Sequence, residues 1–247
     1  MIAAAGTNPS VLILLAGAAL IAGLSRGFSG FGAALIFVPL AGALVGPKLG
    51  ATTLLVADGI FASYMVPGAL RLADKRAVGL MFVGAMVGVP AGTAVLSTYP
   101  ALTLRWLIAG IAAAMLTLLL SGWRYRGRPH PAATVLVGGV SGVFSGIAQI
   151  GGPPVISYWL GGENTPAQVR ANIILYFACS SLLSLASYLW AGLLTRQVLI
   201  LALCAGPAYA LGTFAGTHLF GRASPAVFRG ASLALIAAAV LISLPIV

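Results

Sequence analysis

Residues Ala77–Leu96 read AVGLMFVGAMVGVPAGTAVL, twenty positions without a single charge. Wound as an α-helix at 1.5 Å per residue, such a run is about 30 Å long, the thickness of a bilayer's hydrocarbon core. No water reaches that depth, so every backbone N–H and C=O needs a partner inside the protein, which leaves only helices and closed barrels. Barrel strands alternate apolar and polar residues in segments of about ten. This run does not alternate and is predicted to be a membrane-spanning helix. Similar runs precede it at Val11–Leu24, Ala34–Val45 and Thr52–Leu70, and Leu102–Leu120 follows. After a polar stretch, Trp123–Pro131, come Val135–Val143, Val155–Leu160, Ile173–Leu194, Val198–Leu219 and Leu233–Ile246. Six of these read as full spans. The other four form two pairs of shorter runs, each pair flanking a Gly-rich interruption, with the second pair too short to span. The fold class expected is an all-α polytopic membrane protein.

Composition agrees, since 60% of the 247 residues are hydrophobic and 6% charged, against roughly 25% charged in soluble domains. The net charge of +10 would suggest nucleic acid in a soluble protein. Here the basic residues sit mostly in short loops, as the positive-inside rule expects, and no nucleic-acid partner is implied. Cys179 and Cys204 lie in apolar runs and read as packing residues. The first run lacks a basic leader and an A-x-A cleavage site, so it is expected to be retained. The sequence offers no ATP-binding loop, metal cluster or cofactor signature, and neither His130 nor His218 has neighbours in sequence that suggest a metal site.

The two halves resemble one another. At an offset of 119, Gly23, Gly27, Gly32 and Pro47 fall on Gly142, Gly146, Gly151 and Pro166. At an offset of 124, Gly88, Ala91, Gly92, Thr93 and Arg105 fall on Gly212, Ala215, Gly216, Thr217 and Arg229. A duplication is expected, with repeats at residues 1–123 and 124–247 forming one integrated membrane domain. Each half makes an odd number of crossings, so the second enters from the opposite side and the repeats are inverted. With the N- and C-termini outside, nine Lys/Arg fall inside and three (Lys48, Arg105 and Arg196) outside. The location expected is the cell (inner) membrane, multi-pass.

Inverted repeats with Gly/Pro-interrupted segments at matching positions point to a transporter's binding site. The first interruption reads Ser25-Arg26-Gly27-Phe28-Ser29-Gly30-Phe31-Gly32, the second Phe144-Ser145-Gly146-Ile147-Ala148-Gln149-Ile150-Gly151-Gly152-Pro153-Pro154. Each is predicted to be helix, turn, helix, with the tips meeting near the midplane. A helix starting at such a turn aims free N–H groups and its positive end at the cavity, which favours an anion. Arg26 is a cation at membrane depth, and its fork suits sulfonate or carboxylate oxygens. The plainer alternative has Arg26 reaching the interface and the glycines serving helix packing. The candidate substrate ligands are Arg26, Ser29, Gly30, Phe31, Gly32, Thr53, Gln149, Gly151, Gly152 and Asn172, with Asn172 the counterpart of Thr53. Asp58 is the carboxylate inside an apolar run; pairing with an arginine is its plainest role, and carrying a coupling proton or binding a cation the others. Gly84, Gly88 and Gly92, like Gly212 and Gly216, have the spacing that lets helices pack closely.

These paired breaks, and the Pro that follows each before a Thr- or Asn-bearing helix, resemble the signature segments of the sulfite exporter TauE/SafE family. The resemblance covers essentially the whole chain. It implies a transporter that exports sulfite, thiosulfate or an organosulfonate such as sulfoacetate, while some relatives are linked to other organic anions. The partners implied are a small anionic substrate and the lipid bilayer; monomer and homodimer are both left open. A different class remains to be weighed: Gly27-Phe28-Ser29-Gly30 matches the G-x-S-G of rhomboid intramembrane serine proteases, with His218 as the base. The duplication speaks against it, because a protease needs one such motif.

Overall fold

The computed structural model describes residues 8–29, 32–127, 129–161, 165–219 and 225–245, and all regular structure among them is helical. Ten helices follow one another: α1 Pro9–Ser29, α2 Ala33–Leu44, α3 Pro47–Leu72, α4 Lys75–Thr98, α5 Ala101–Ser121, α6 Pro131–Ala148, α7 Gly152–Trp159, α8 Pro166–Trp190, α9 Arg196–Leu219 and α10 Pro225–Ser243. Proline opens five of them (Pro9, Pro47, Pro131, Pro166 and Pro225), where its missing N–H forfeits no helical hydrogen bond. Side chains cap α4 and α8: Asp74 Oδ1 accepts from the N–H groups of Arg76 and Ala77 at 3.0 and 3.1 Å, and Thr165 Oγ1 from that of Gln168 at 3.3 Å.

Six helices are long and apolar enough to cross a bilayer, namely Pro9–Gly27, Lys75–Thr98, Ala101–Ser121, Pro131–Ala148, Pro166–Trp190 and Arg196–His218; α3 adds a bent seventh candidate. The structure departs from the sequence reading at the breaks. Phe144–Ala148 is helix, and the second interruption shrinks to Gln149–Gly151. Ser25–Ser29 is helix too, so α1 and α6 reach 21 and 18 residues instead of stopping short. The returning helices are the short ones, α2 with 12 residues and α7 with 8. A glycine weakens an isolated helix by about 1 kcal/mol relative to Ala. Here the bare Cα positions admit a neighbouring backbone, and that packing outweighs the propensity cost.

The contacts divide the chain into two compact units, residues 1–57, 99–116 and 192–247 in one, 58–98 and 117–191 in the other, so each draws on both halves of the sequence. In the first unit α1 lies along α9, and α2 packs on α1 and α10. A Cβ placed on Gly23 would run into the Tyr209 carbonyl and stand 3.0 Å from the Thr213 nitrogen; one on Gly212 would meet the Leu20 carbonyl. Arg105 on α5 donates through Nη2 to the carbonyl of Ser243 at 3.3 Å, placing a cation on the negative end of α10. In the second unit α6 lies along α4. A Cβ on Gly142 would stand 2.9 Å from Ala85 Cα and 3.1 Å from the Val89 nitrogen, one on Gly146 2.8 Å from the Thr93 nitrogen, and one on Gly88 would run into the Gly139 carbonyl. Around this seam Met81, Ala85 and Val89 of α4 join Val155, Tyr158 and Trp159 of α7 and Val169, Leu175 and Tyr176 of α8 in one buried core.

The two seams share a register. Gly23 faces Tyr209 and Thr213, and Gly142, 119 positions on, faces Ala85 and Val89, each 124 positions earlier. Gly212 faces Leu20 and Leu24, and Gly88, 124 positions earlier, faces Gly139 and Val143, each 119 positions on.

These contacts set a test. Gly88→Ala drives a methyl into the Gly139 carbonyl, whereas a Cβ on Gly79, in the same helix, meets nothing within 4 Å. Gly88→Ala is expected to destabilise by about 1–3 kcal/mol and Gly79→Ala to stabilise by up to about 1 kcal/mol, read as opposite shifts of the thermal midpoint in detergent. Equal shifts would contradict the seam.

Candidate functional site

The second break is a hairpin that returns to the end it left. α6 ends at Gln149, whose φ of 59° and ψ of 19° are left-handed, and no other described non-Gly residue has a positive φ. That conformation is unfavourable for a residue with a Cβ, and three sets of bonds hold it. The Gln149 N–H returns to the Ser145 carbonyl at 2.9 Å and the Ile150 N–H to that of Phe144 at 3.2 Å. The Gln149 side-chain amide donates to the Ser145 carbonyl at 2.9 Å and to the Tyr188 hydroxyl at 3.2 Å. Tyr188, wholly buried on α8, donates in turn to the Gly146 carbonyl at 2.9 Å.

The chain then folds back. Ser141 Oγ, two turns before the end of α6, donates to the Gly151 carbonyl at 2.8 Å. A Cβ on Gly151 would collide with Ser145 Oγ and stand 2.6 Å from Ser141 Oγ, so only glycine fits. α7 starts here with Pro153 and Pro154 in its first turn, as the sequence predicts. Its far end lies beside the start of α6: the hydroxyls of Tyr158 and Thr134 are 2.7 Å apart. The segment after α5 straps this end, with the Tyr125 N–H on the Ser157 carbonyl at 3.0 Å and its ring 4.8 Å from that of Tyr158.

Two helix ends of opposite polarity meet at the turn. A helix C-terminus presents partial negative charge and a helix N-terminus partial positive. The carbonyls of Phe144, Ser145, Gly146 and Gly151 are all covered by protein donors. The positive end of α7 remains, with the Gly151 and Gly152 N–H groups ahead of two prolines that have none.

In the first break Gly32 takes the left-handed φ of 97° that glycine alone adopts freely, and α2 follows it. Arg26 is partly buried in the last turn of α1. Gly30, Phe31 and the Ser29 side chain lie outside the described residues. Thr52 donates to its own helix, at the Lys48 carbonyl, 2.7 Å away. Thr53 is wholly buried and its hydroxyl has no hydrogen-bond partner.

Asn172, the counterpart of Thr53, is also wholly buried. Its Oδ1 accepts from the Asp74 N–H at 2.7 Å, while its Nδ2 has no partner. The bond fixes the α3–α4 turn to α8. Sixteen residues, about 24 Å of helix, separate Asn172 from Tyr188, so Asn172 and Gln149 stand toward opposite ends of α8. Asp58 is partly buried in α3. His218 is exposed on α9, its Nδ1 2.9 Å from the Phe214 carbonyl.

Tyr188, Ser141 and Ser145 were not among the expected site residues. Tyr188 sits in an apolar run with nothing beside it to mark it, and only the return of α6 onto α8 gives its hydroxyl a role. Ser141 lies ten residues from its partner across the break, and its i, i+4 relation to Ser145 was the one available signal.

Six apolar helices long enough to span a bilayer, together with a buried hairpin turn, are the architecture of a polytopic membrane transporter. The chain belongs to the sulfite exporter TauE/SafE family, a sequence model of which matches residues 15–243. It is 30% identical over 188 residues, 72% of this chain and 70% of the relative, to a Cupriavidus necator protein described as a probable sulfite/organosulfonate exporter TauE. No solved structure matches it. A family of membrane exporters places the chain among transporters and not among enzymes.

Tyr188→Phe removes the donor to Gly146 and the acceptor for Gln149. Stranding those buried groups is expected to destabilise by about 1–3 kcal/mol, seen as a lower thermal midpoint. A variant as stable as wild type would show that the hydroxyl does not hold the turn.

Proposed function

We propose that this chain exports a small sulfur-containing oxyanion, sulfite or an organosulfonate such as sulfoacetate, by alternating access. One observation carries the sign of the substrate's charge: the second turn leads into the positive end of α7, which begins at Gly151 and Gly152 ahead of two prolines, and the carbonyls of Phe144, Ser145, Gly146 and Gly151 beside it accept from protein donors. The charge distribution supports the same reading. The first unit contains Arg26, Lys48, Arg105, Arg196, Arg222 and Arg229 and not one Asp or Glu, so no acidic side chain there repels an anion. The sulfur chemistry follows the family and the Cupriavidus necator relative.

In this proposal Arg26, Ser29, Gly30, Phe31, Gly32 and Thr53 hold the anion on the side of the first break, and Gln149, Gly151, Gly152 and Asn172 on that of the second. Asp58 carries the coupling proton. The halves are inverted repeats, which the shared register of the glycine seams supports, and the basic loops face the cytoplasm of a cell whose inner membrane holds the protein.

The test is flux into proteoliposomes. Wild type is expected to move sulfite or sulfoacetate in preference to chloride, and Arg26→Ala to lose at least tenfold of that rate. Asp58→Asn is expected to abolish acceleration by a pH gradient while leaving downhill exchange. Unchanged flux in Arg26→Ala would move that residue to a structural role, and absence of any sulfur-anion flux in wild type would overturn the proposal.

A further inference from the structure

Helix α8 carries five polar residues spaced by four: Asn172, Tyr176, Ser180, Ser184 and Tyr188. Residues i and i+4 lie one above another on a helix, so these form a single stripe about 24 Å long. All five are no more than 2% exposed. The two tyrosines are bonded to α6, Tyr176 to the Gly138 carbonyl at 3.3 Å and Tyr188 to the Gly146 carbonyl at 2.9 Å. The other three each leave a polar atom without a hydrogen bond: Asn172 Nδ2, Ser180 Oγ and Ser184 Oγ. Trp159 Nε1 is a fourth, and its ring meets Tyr176 edge-on at 6.1 Å.

Buried polar atoms are nearly always bonded, and a run of exceptions on one face calls for a cause. All four unfilled groups are able to donate: an amide N–H, two hydroxyls and an indole N–H. None is charged. The amide and indole N–H groups are donors only and the two hydroxyls donate as well, so a ligand that accepts hydrogen bonds along its whole surface, such as a deprotonated oxyanion, fits all four, whereas a metal cation finds no oxygen at the amide and indole positions.

The ends of the stripe fit that use. Asn172 is bonded to the α3–α4 turn, at the end of this unit where Arg71, Lys75, Arg76, Arg124, Arg126 and Arg170 are exposed. The carboxylate of Asp74, in that same turn, accepts from the first N–H groups of α4. Tyr188 is bonded to Gly146 and Gln149 at the second break. A patch of one sign concentrates the oppositely charged solute, and from it the donors lead along α8 to the turn.

We infer that the α8 stripe is the path by which the anion passes between the basic end of this unit and the second break, with Ser180 and Ser184 donating to it on the way. This rests on the anion-export reading above and assigns it residues. In the described conformation the stripe is shut, and transport opens it.

The inference has a consequence that a structural role does not share. A hydroxyl without a partner contributes nothing to the fold, so Ser184→Ala and Ser180→Ala/Ser184→Ala keep or raise the thermal midpoint. Their sulfite or sulfoacetate flux in proteoliposomes is expected to fall at least tenfold, mainly through a raised KM, and Ser184→Thr, which keeps the donor, to retain most of it. Unchanged flux in the double variant overturns the inference, and so does a fall in flux accompanied by a lower thermal midpoint, which would make the hydroxyls structural. A wild-type protein that neither transports these anions nor is thermally stabilised by them fails at the export reading itself, a different result from active wild type beside an equally active variant.

Discussion

A helix that stops inside a hydrocarbon layer leaves carbonyl oxygens that no water can reach, and the second break is built around covering them. Gln149 accepts a left-handed backbone so that its own N–H, its side-chain amide and the next N–H all turn back on the end of α6. Tyr188 reaches across from α8 for the Gly146 carbonyl, and Ser141 covers that of Gly151. With those carbonyls bonded, the positive end of α7 is the polarity on which the proposed anion site rests.

Such a hairpin needs a wall pressed against it, and the glycines provide the fit. Gly138, Gly142 and Gly146 let α4 approach the backbone of α6, and Gly84, Gly88 and Gly92 do the same from the other side. Any side chain on these faces would hold the helices apart and leave the break open to lipid. The first unit solves the same problem with α1 and α9, where Gly23, Gly27 and Gly212 supply the bare surfaces. Close approach, more than helix propensity, explains why so many glycines survive in long helices.

The fold class was legible because one physical fact decides it: an uncharged run such as Ala77–Leu96 has no other stable form in a bilayer. One helix start was legible from proline: Pro153 and Pro154 stand in the first turn of α7. The extent of the breaks was not. Gly27 and Gly146 look like interruptions in sequence and are helix in the structure, because the neighbour that rewards them lies more than fifty residues away. Of the candidate site, Thr53 and Asn172, paired in the sequence reading, are both wholly buried in the structure, and their part in binding stands as a proposal. The hydrogen bonds of the second turn were not legible, since the role of Tyr188 depends on which face α8 turns to α6. The four-residue spacing of the α8 stripe was visible, but only burial shows that its hydroxyls lack partners.

The interleaving of the compact units also governs the order in which the molecule is completed. Everything in the unit built from residues 58–98 and 117–191 has been translated before α9 exists. The helix α1 must wait: the residues opposite Gly23 arrive 186 positions later, a delay of roughly ten to forty seconds at ordinary ribosomal speed. Through that interval its glycine face has only lipid or a helper protein to rest on. Biogenesis can therefore complete the unit in the middle of the chain first, and α1, made before it, finds α9 only afterwards.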